Sequence, residues 1–187
     1  MNGGYFPYYY PPAYYPHPMP REQQIYPQYD QEKRFHPLPI QNQDEDMDRQ
    51  QDFGNSPYVV NIENAVERNR AFRRAIWTGR HLQVTLMNIR PGEDIGLERH
   101  QNTDQFLRIE EGRGVVQMGD RPNQLTFERR IADEDAIMIP AGKWHNIRNT
   151  GRDSLKLYSI YAPPEHRRGT IHRTKADATH REENNQD

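Results

Sequence analysis

Apolar and polar residues alternate in short segments over roughly the last two thirds of the chain. The clearest segment is HLQVTLMNI (81–89), whose neighbouring side chains would point to opposite faces of a β-strand. Six further segments follow at intervals of roughly 8 to 12 residues, separated by Gly, Pro, Asn and Asp. They are QFLRIEEG, GVVQMG, NQLTFERRI, DAIMIP, HNIRNTG and LKLYSIYAPP. This rhythm predicts an all-β antiparallel sandwich or barrel.

The segments on either side of these strands differ from them in composition and pattern. Residues 61–70 are predicted to form one short helix, with Asn61 as its N-cap. Residues 1–56 begin with the Tyr/Pro-rich MNGGYFPYYYPPAYYPHPMP and continue as Gln-rich and acidic text, which predicts a disordered tail. Residues 176–187 are polar and without period, and are expected to form a frayed C-terminal tail. The folded domain is therefore predicted over residues 57–175.

Composition narrows the possible chemistry. The 187 residues include no cysteine, so disulfides, thiolate catalysis and Cys-type zinc sites are excluded. The net charge is −2 and the two signs are interspersed, so nucleic acid is not expected as a partner. No long apolar run and no secretory signal pattern is present, so we expect a cytoplasmic protein without a membrane partner.

The stretch GLERHQNTDQFLRIEEG (96–112) carries candidate metal ligands. Glu98 and His100 are two residues apart in an extended segment, so their side chains share a face. The turn QNTD then reverses the chain and brings Gln105 close to them. A shift of one residue in register would present Asp104 instead of Gln105. In DEDAIMIPAGKWHNIRN, a sharp Pro-Ala-Gly turn precedes His145, the fourth candidate.

These two stretches resemble the two motifs of the cupin superfamily, as found in small single-domain bacterial cupins. The first motif is matched through Gly92, Glu98, His100, Gln105 and Gly112, and the second through Pro140, Gly142, His145 and Asn149. The resemblance implies a jelly-roll β-barrel with the one short helix and the tails outside it. Three positions depart from the family pattern. Glu98 stands in place of a His, Gln105 in place of a Glu, and Glu134 in place of a Gly.

The resemblance implies one divalent metal ion, Fe, Mn, Ni or Zn, bound by Glu98, His100, Gln105 and His145. Two imidazoles and one carboxylate are the donor set that non-haem Fe(II) favours. Gln105 would be a weak neutral ligand or would hold a bound water. Phosphomannose isomerases, which are also cupins, are similar in combining two His, a Glu and a Gln around zinc. Alternatively, Glu98 is catalytic and acts as a base rather than as a ligand.

Other residues are assigned by their neighbourhood. The predicted barrel core contains Phe106, Ile109, Val115, Ile137 and Ile139. The isolated His81, His166 and His172 are expected at the surface or behind the site. Either Tyr158 or Tyr161 on the last long strand is expected to place its phenol in the cavity.

Two functions compete at this point. One is a metal-dependent enzyme, such as a dioxygenase or a sugar-isomerase-like protein, that acts on a small polar or sugar-like molecule. The other is a noncatalytic binding or structural cupin, for example of a spore coat, assembled through the Tyr/Pro-rich tail. A homodimer is expected in either case, because a sandwich leaves sheet edges to cover. A sensory transcriptional regulator is disfavoured, because no helix-turn-helix segment is present.

Overall fold

The computed structural model describes residues 51–183, with the side chains of residues 51–179. The predictions for residues 1–50 therefore lie outside the described residues. The described chain forms nine antiparallel β-strands and two helices. Its helices are α1 (Ile62–Arg68) and α2 (Lys175–Glu183). Its strands are β1 (Arg73–Thr78), β2 (Gln83–Ile89), β3 (Asp104–Glu111), β4 (Arg113–Gly119), β5 (Phe127–Ala132), β6 (Ala136–Ile139), β7 (Trp144–Asn149), β8 (Leu155–Ala162) and β9 (Ile171–His172).

The strands form two sheets that enclose one core. The larger sheet has the order β6-β3-β8-β2-β1-β9, and the smaller has the order β5-β4-β7. Apolar side chains from both sheets meet in a single cluster that includes Leu107 and Leu157 of the large sheet and Val116 and Ile147 of the small one. The all-β prediction is confirmed, and this is the jelly-roll architecture that the motifs implied. No helix within the described range is long and apolar enough to cross a membrane.

The inner face of the large sheet changes from apolar to polar along its strands. Neighbouring rows across β2, β8 and β3 run from Ile89 and Leu155, through Met87, Leu157 and Ile109, to Thr85, Ser159 and Leu107, and finally to Gln83, Tyr161 and Gln105. All of these side chains are buried. One end of the interior is therefore a hydrophobic core, and the other end is a buried polar layer that must be satisfied by hydrogen bonds or by a ligand.

Helix α1 confirms the predicted helix and its cap. The Asn61 side chain accepts a hydrogen bond from the Asn64 N–H at 3.0 Å. Ala65 and Val66 are buried against Leu86 on the outer face of the large sheet. Strand β2 is consequently covered on both sides, which explains why its apolar Leu86 points away from the barrel interior.

Two of the five predicted core residues are wrong. Ile109, Ile137 and Ile139 lie in the core cluster as expected. Phe106 and Val115 are only partly buried and lie on outer faces, because Gln105 and Val116 take the inward positions beside them. Phe106 instead packs near Tyr158, with 6.2 Å between ring centroids.

Ordered structure extends beyond residues 57–175 at both ends. Asp52 is buried, and its carboxylate accepts hydrogen bonds from Thr78 Oγ1 at 2.6 Å and from the Gly169 N–H at 2.9 Å. At the other end, Thr174 and Asp177 exchange capping hydrogen bonds at the start of α2. Ala178 of this helix packs into the main core, so the expected frayed tail is helical over its first part.

Four positions of the two motifs have left-handed backbone conformations. Gly92, Gly112 and Gly142 have φ angles of 79°, 98° and 80°. Glu134, which replaces the glycine that starts the second motif, has φ of 71°. A side chain is strained in this region of φ, whereas glycine adopts it freely. The motif glycine is thus explained by turn geometry rather than by chemistry.

Replacing Glu134 with Gly should stabilise the domain by about 1 kcal/mol, because the strain at positive φ is removed. Thermal denaturation should show a rise in Tm. Asp133→Gly is the matched control, since Asp133 is the exposed neighbour and has no positive φ. A lower Tm for Glu134→Gly than for the wild type would contradict the claim that positive φ strains the backbone at Glu134.

Candidate metal centre

Glu98, His100 and His145 converge at the polar end of the barrel. One ligand atom from each lies within 4.8 Å of the others. Glu98 Oε1 is 3.4 Å from His100 Nε2 and 3.4 Å from His145 Nε2. Two ligand atoms that are each roughly 2.1 Å from one ion, at a near-tetrahedral angle, are about 3.4 Å apart. The spacing therefore suits a shared ion.

Backbone pairing brings the two motifs together. Glu98 and His145 form an antiparallel bridge, in which each N–H donates to the other residue's carbonyl at 3.0 and 2.9 Å. The His100 carbonyl accepts from the Gly142 N–H at 2.7 Å. Residues 98–100 thus extend the small sheet beside β7, and the turn at Gly142 starts β7 at the position that points His145 inward.

The outer nitrogen of each imidazole is engaged, which leaves the other for the centre. His145 Nδ1 donates to the Lys143 carbonyl at 3.0 Å. His100 Nδ1 lies 3.1 Å from Glu165 Oε1. Metal-binding histidines are typically oriented in this way by a carbonyl or a carboxylate. Both Nε2 atoms therefore face Glu98.

None of the three converging atoms makes a hydrogen bond of good geometry. Glu98 Oε1, His100 Nε2 and His145 Nε2 are all buried and unsatisfied. Buried polar atoms in proteins are nearly always hydrogen-bonded, so three unsatisfied atoms at one point indicate a missing partner. Two nitrogen donors and one carboxylate oxygen fit a divalent transition metal or zinc.

Arg73 is a residue of the candidate site that the sequence did not reveal. Its Nη2 donates to Glu98 Oε2 at 3.2 Å, and the side chain is only 1% exposed. Burial acts to raise the pKa of Glu98, but the Arg73 guanidinium and the two imidazoles more than offset it and hold the pKa well below its usual range. Strand β1, which carries Arg73, was not among the predicted strands. Two consecutive arginines in a strand were the available signal, because one of them must point inward.

His100 is surrounded by carboxylates. Burial acts to lower its pKa, but Glu165 and Glu98 outweigh this effect and raise the pKa of His100 to about 9. The ring is therefore protonated in the metal-free protein at neutral pH. An ion that binds Nε2 must displace this proton.

Gln105, rather than Asp104, points into the barrel. Gln105 is buried, and its Nε2 donates to Ser159 Oγ at 2.9 Å. Its Oε1 is buried and has no partner. Asp104 is exposed and accepts from the Ala141 N–H at 2.8 Å, so the alternative that placed Asp104 in the site is wrong. The register of β3 against β8 settles the choice.

Tyr161 and His166 complete the polar layer. The Tyr161 ring lies 5.4 Å from His100 and 5.0 Å from His166, between centroids. Burial is the main cause that raises the pKa of Tyr161 to about 12, so its phenol keeps its proton. Of the two tyrosines considered, Tyr161 faces the interior. Tyr158 packs on the outer face of the sheet, against the cluster that α1 forms with Ile76 and Leu86.

The isolated histidines differ in their surroundings. His81 is exposed, as expected. His172 is buried on the short strand β9. His166 lies behind the site, where its backbone N–H donates to Gln83 Oε1 at 2.9 Å. Burial lowers the pKa of His166 to about 3, with Arg73 acting in the same direction, so this ring is neutral. Glu165 and His166 follow a Pro-Pro pair, and nothing in their spacing from the motifs marked them.

Comparison with known proteins supports the fold and the motifs. A family model described as a cupin domain matches residues 85–161. The Bacillus subtilis protein YrkC is 61% identical over 127 residues, which is 68% of each chain. The L612 protein of Acanthamoeba polyphaga mimivirus is 40% identical over 118 residues, 63% of this chain and 72% of the relative. The crystal structure of BH2720 from Bacillus halodurans is 65% identical, with a TM-score of 0.69 over 70% of this chain and 98% of that one.

The buried pair of Arg73 and Glu98 should show strong energetic coupling. Arg73→Met should destabilise the metal-free protein by about 3 to 5 kcal/mol, because it leaves the Glu98 carboxylate buried beside a neutral side chain. Adding Glu98→Gln should recover about 1 to 3 kcal/mol relative to the sum of the single changes. Urea denaturation of the four proteins measures this coupling.

The matched control is the exposed pair of Lys143 and Asp120, in which the two side chains also contact each other. Its coupling should be close to zero, because both groups are hydrated. Equal coupling in the two pairs would contradict the buried role of Arg73.

Proposed function

The chain belongs to the cupin family, and from this we propose that it is a metal-dependent enzyme for small polar molecules, with its divalent ion held by Glu98, His100 and His145. The observation that supports the proposal is the convergence of three buried ligand atoms that no protein group satisfies. A structural role alone would not favour such atoms, since each costs about 1 to 3 kcal/mol when it is left unpaired.

The donor set restricts the ion. Two imidazole nitrogens and one carboxylate oxygen suit Fe(II), and Mn, Ni and Zn accept the same ligands. The absence of cysteine removes the softer thiolate sites. When bound, such an ion would act as a Lewis acid toward a substrate oxygen or would support chemistry with O2. Both a dioxygenase and an isomerase are consistent with this site.

The protein groups around the ion have separate tasks. Arg73 keeps Glu98 ionised and fixes its second oxygen. Glu165 and the Lys143 carbonyl fix the rings of His100 and His145. Gln105 Oε1 is available to accept a hydrogen bond from water or from a substrate hydroxyl, since its Nε2 is already used. The site therefore has rigid ligands and polar groups left over for substrate.

Glu98 is better suited to bind the ion than to act as a base. Its Oε2 is paired with Arg73, and its Oε1 faces both imidazoles. A carboxylate that is stabilised by a guanidinium is a weak proton acceptor, and a general base works best with a pKa near the operating pH. We therefore assign Glu98 to the metal.

Protein purified without an affinity tag, under anaerobic conditions, should contain about one divalent ion per chain. His100→Ala and His145→Ala should each lower the bound metal to near zero, because the two ligands that remain are too few to hold the ion. Elemental analysis of the purified proteins measures the metal content, and isothermal titration calorimetry measures its affinity.

His81→Ala is the matched control, because His81 is exposed and lies outside both motifs. It should retain the metal of the wild type. Wild-type protein that binds no divalent ion, or a His100→Ala variant that retains one, would contradict the proposed centre.

A further inference from the structure

The phenol of Tyr161 is incompletely satisfied inside the protein. Tyr161 is fully buried, and its hydroxyl makes no hydrogen bond of good geometry, although the Ser159 side chain interacts with it and acts to lower its pKa. Its position is fixed by the pairing of β8 with β2 and β3, which places it directly between Gln83 and Gln105. Its ring contacts that of His100, a ligand of the proposed centre. A buried hydroxyl without a good hydrogen bond is destabilising, so this position favours a bound molecule that accepts a hydrogen bond.

Gln105, the cross-strand neighbour of Tyr161, has the opposite requirement. Its amide nitrogen is used by Ser159, and its buried Oε1 can only accept a hydrogen bond. A molecule that satisfies both side chains must therefore present an acceptor to Tyr161 and a donor to Gln105. Carboxylate oxygen is the strongest acceptor for a phenol, and a hydroxyl group supplies the donor.

The charges around the centre favour an anion. Glu98 contacts Arg73 at 3.2 Å, and Glu165 contacts His100 at 3.1 Å. The carboxylates of Glu98 and Glu165 and the guanidinium of Arg73 sum to a single negative charge once both imidazoles are neutral ligands. A divalent ion then exceeds it by one positive charge. An uncompensated charge is costly in a buried site, and a monoanion would cancel it.

We propose that the site binds a small monocarboxylate with a neighbouring hydroxyl group, whose carboxylate accepts a hydrogen bond from Tyr161 and whose hydroxyl donates to Gln105. This inference rests on the proposed metal centre, since only the divalent ion gives these groups a net positive charge. It narrows the small polar substrate to an anionic hydroxy acid and disfavours neutral sugars.

Full-length protein loaded with Co²⁺ tests the charge of the ligand. Glycolate and glycolamide are matched probes, because they have nearly the same shape and differ by one negative charge. Titration calorimetry and the visible absorption bands of the bound Co²⁺ both report binding. Glycolate should bind at least about tenfold more tightly than glycolamide, since hydrogen bonds to charged groups are worth about 1.5 kcal/mol or more.

Tyr161→Phe tests the contact itself. The substitution should lower the affinity for glycolate by about tenfold or more and leave the Co²⁺ affinity unchanged, because only the hydroxyl is removed. Tyr158→Phe is the matched control, since Tyr158 is on the outer face of the same strand. This control should bind glycolate as the wild type does. Thermal melting of each variant confirms that it is folded.

Three results would overturn the inference in distinguishable ways. Equal affinity for glycolate and glycolamide would exclude the anionic ligand even if Tyr161→Phe could not be folded. Unchanged glycolate binding in Tyr161→Phe would exclude the contact with the phenol. Failure of the wild type to bind Co²⁺ would overturn the metal centre together with the inference, whereas the first two results would leave the metal centre intact.

Discussion

The buried carboxylate of Glu98 is the constraint on which the polar end of the barrel depends. A carboxylate removed from water needs compensating charge and hydrogen bonds, or it is protonated. Arg73 supplies a positive charge from β1, and the protonated His100 of the metal-free protein supplies another. His145 directs its Nε2 at the same oxygen as His100 does. Those rings are held in turn by Glu165 and by the Lys143 carbonyl. Each element at this end of the barrel therefore contributes to keeping one ionised group inside it.

The apolar part of the interior offsets the cost in folding stability of burying this polar layer. The apolar rows around Leu155 and Leu157 form a continuous core with the facing strands of the small sheet. Asp52 and Thr78 add a separate hydrogen-bonded connection outside the core. Burial of apolar surface drives folding, so the domain can maintain a polar layer whose own groups are incompletely satisfied. The candidate metal site and the apolar core thus lie at opposite ends of the same sheet.

Spacing in the sequence was enough to predict strands β2 to β8 and the candidate ligands, but not strands β1 and β9. Glu98 and His100 share a face whatever surrounds them, and the two motifs place His145 opposite. Spacing does not tell which face of a strand is interior. The prediction that Phe106 and Val115 lie in the core was wrong for that reason. Arg73 and Glu165 could not be assigned, because they reach the site through long-range strand pairing and a loop. His166 was expected only at the surface or behind the site, and the structure places it behind the site. The choice of Gln105 over Asp104 likewise required the register between β3 and β8.

The central claim is that Glu98, His100 and His145 share one ion. Anomalous diffraction from crystals of the Zn²⁺-loaded protein, recorded at the zinc absorption edge, tests it most directly. One strong peak is expected, at about 2.0 to 2.2 Å from Glu98 Oε1, His100 Nε2 and His145 Nε2. A map without a peak at this position, or with zinc bound only at surface histidines such as His81, would contradict the claim.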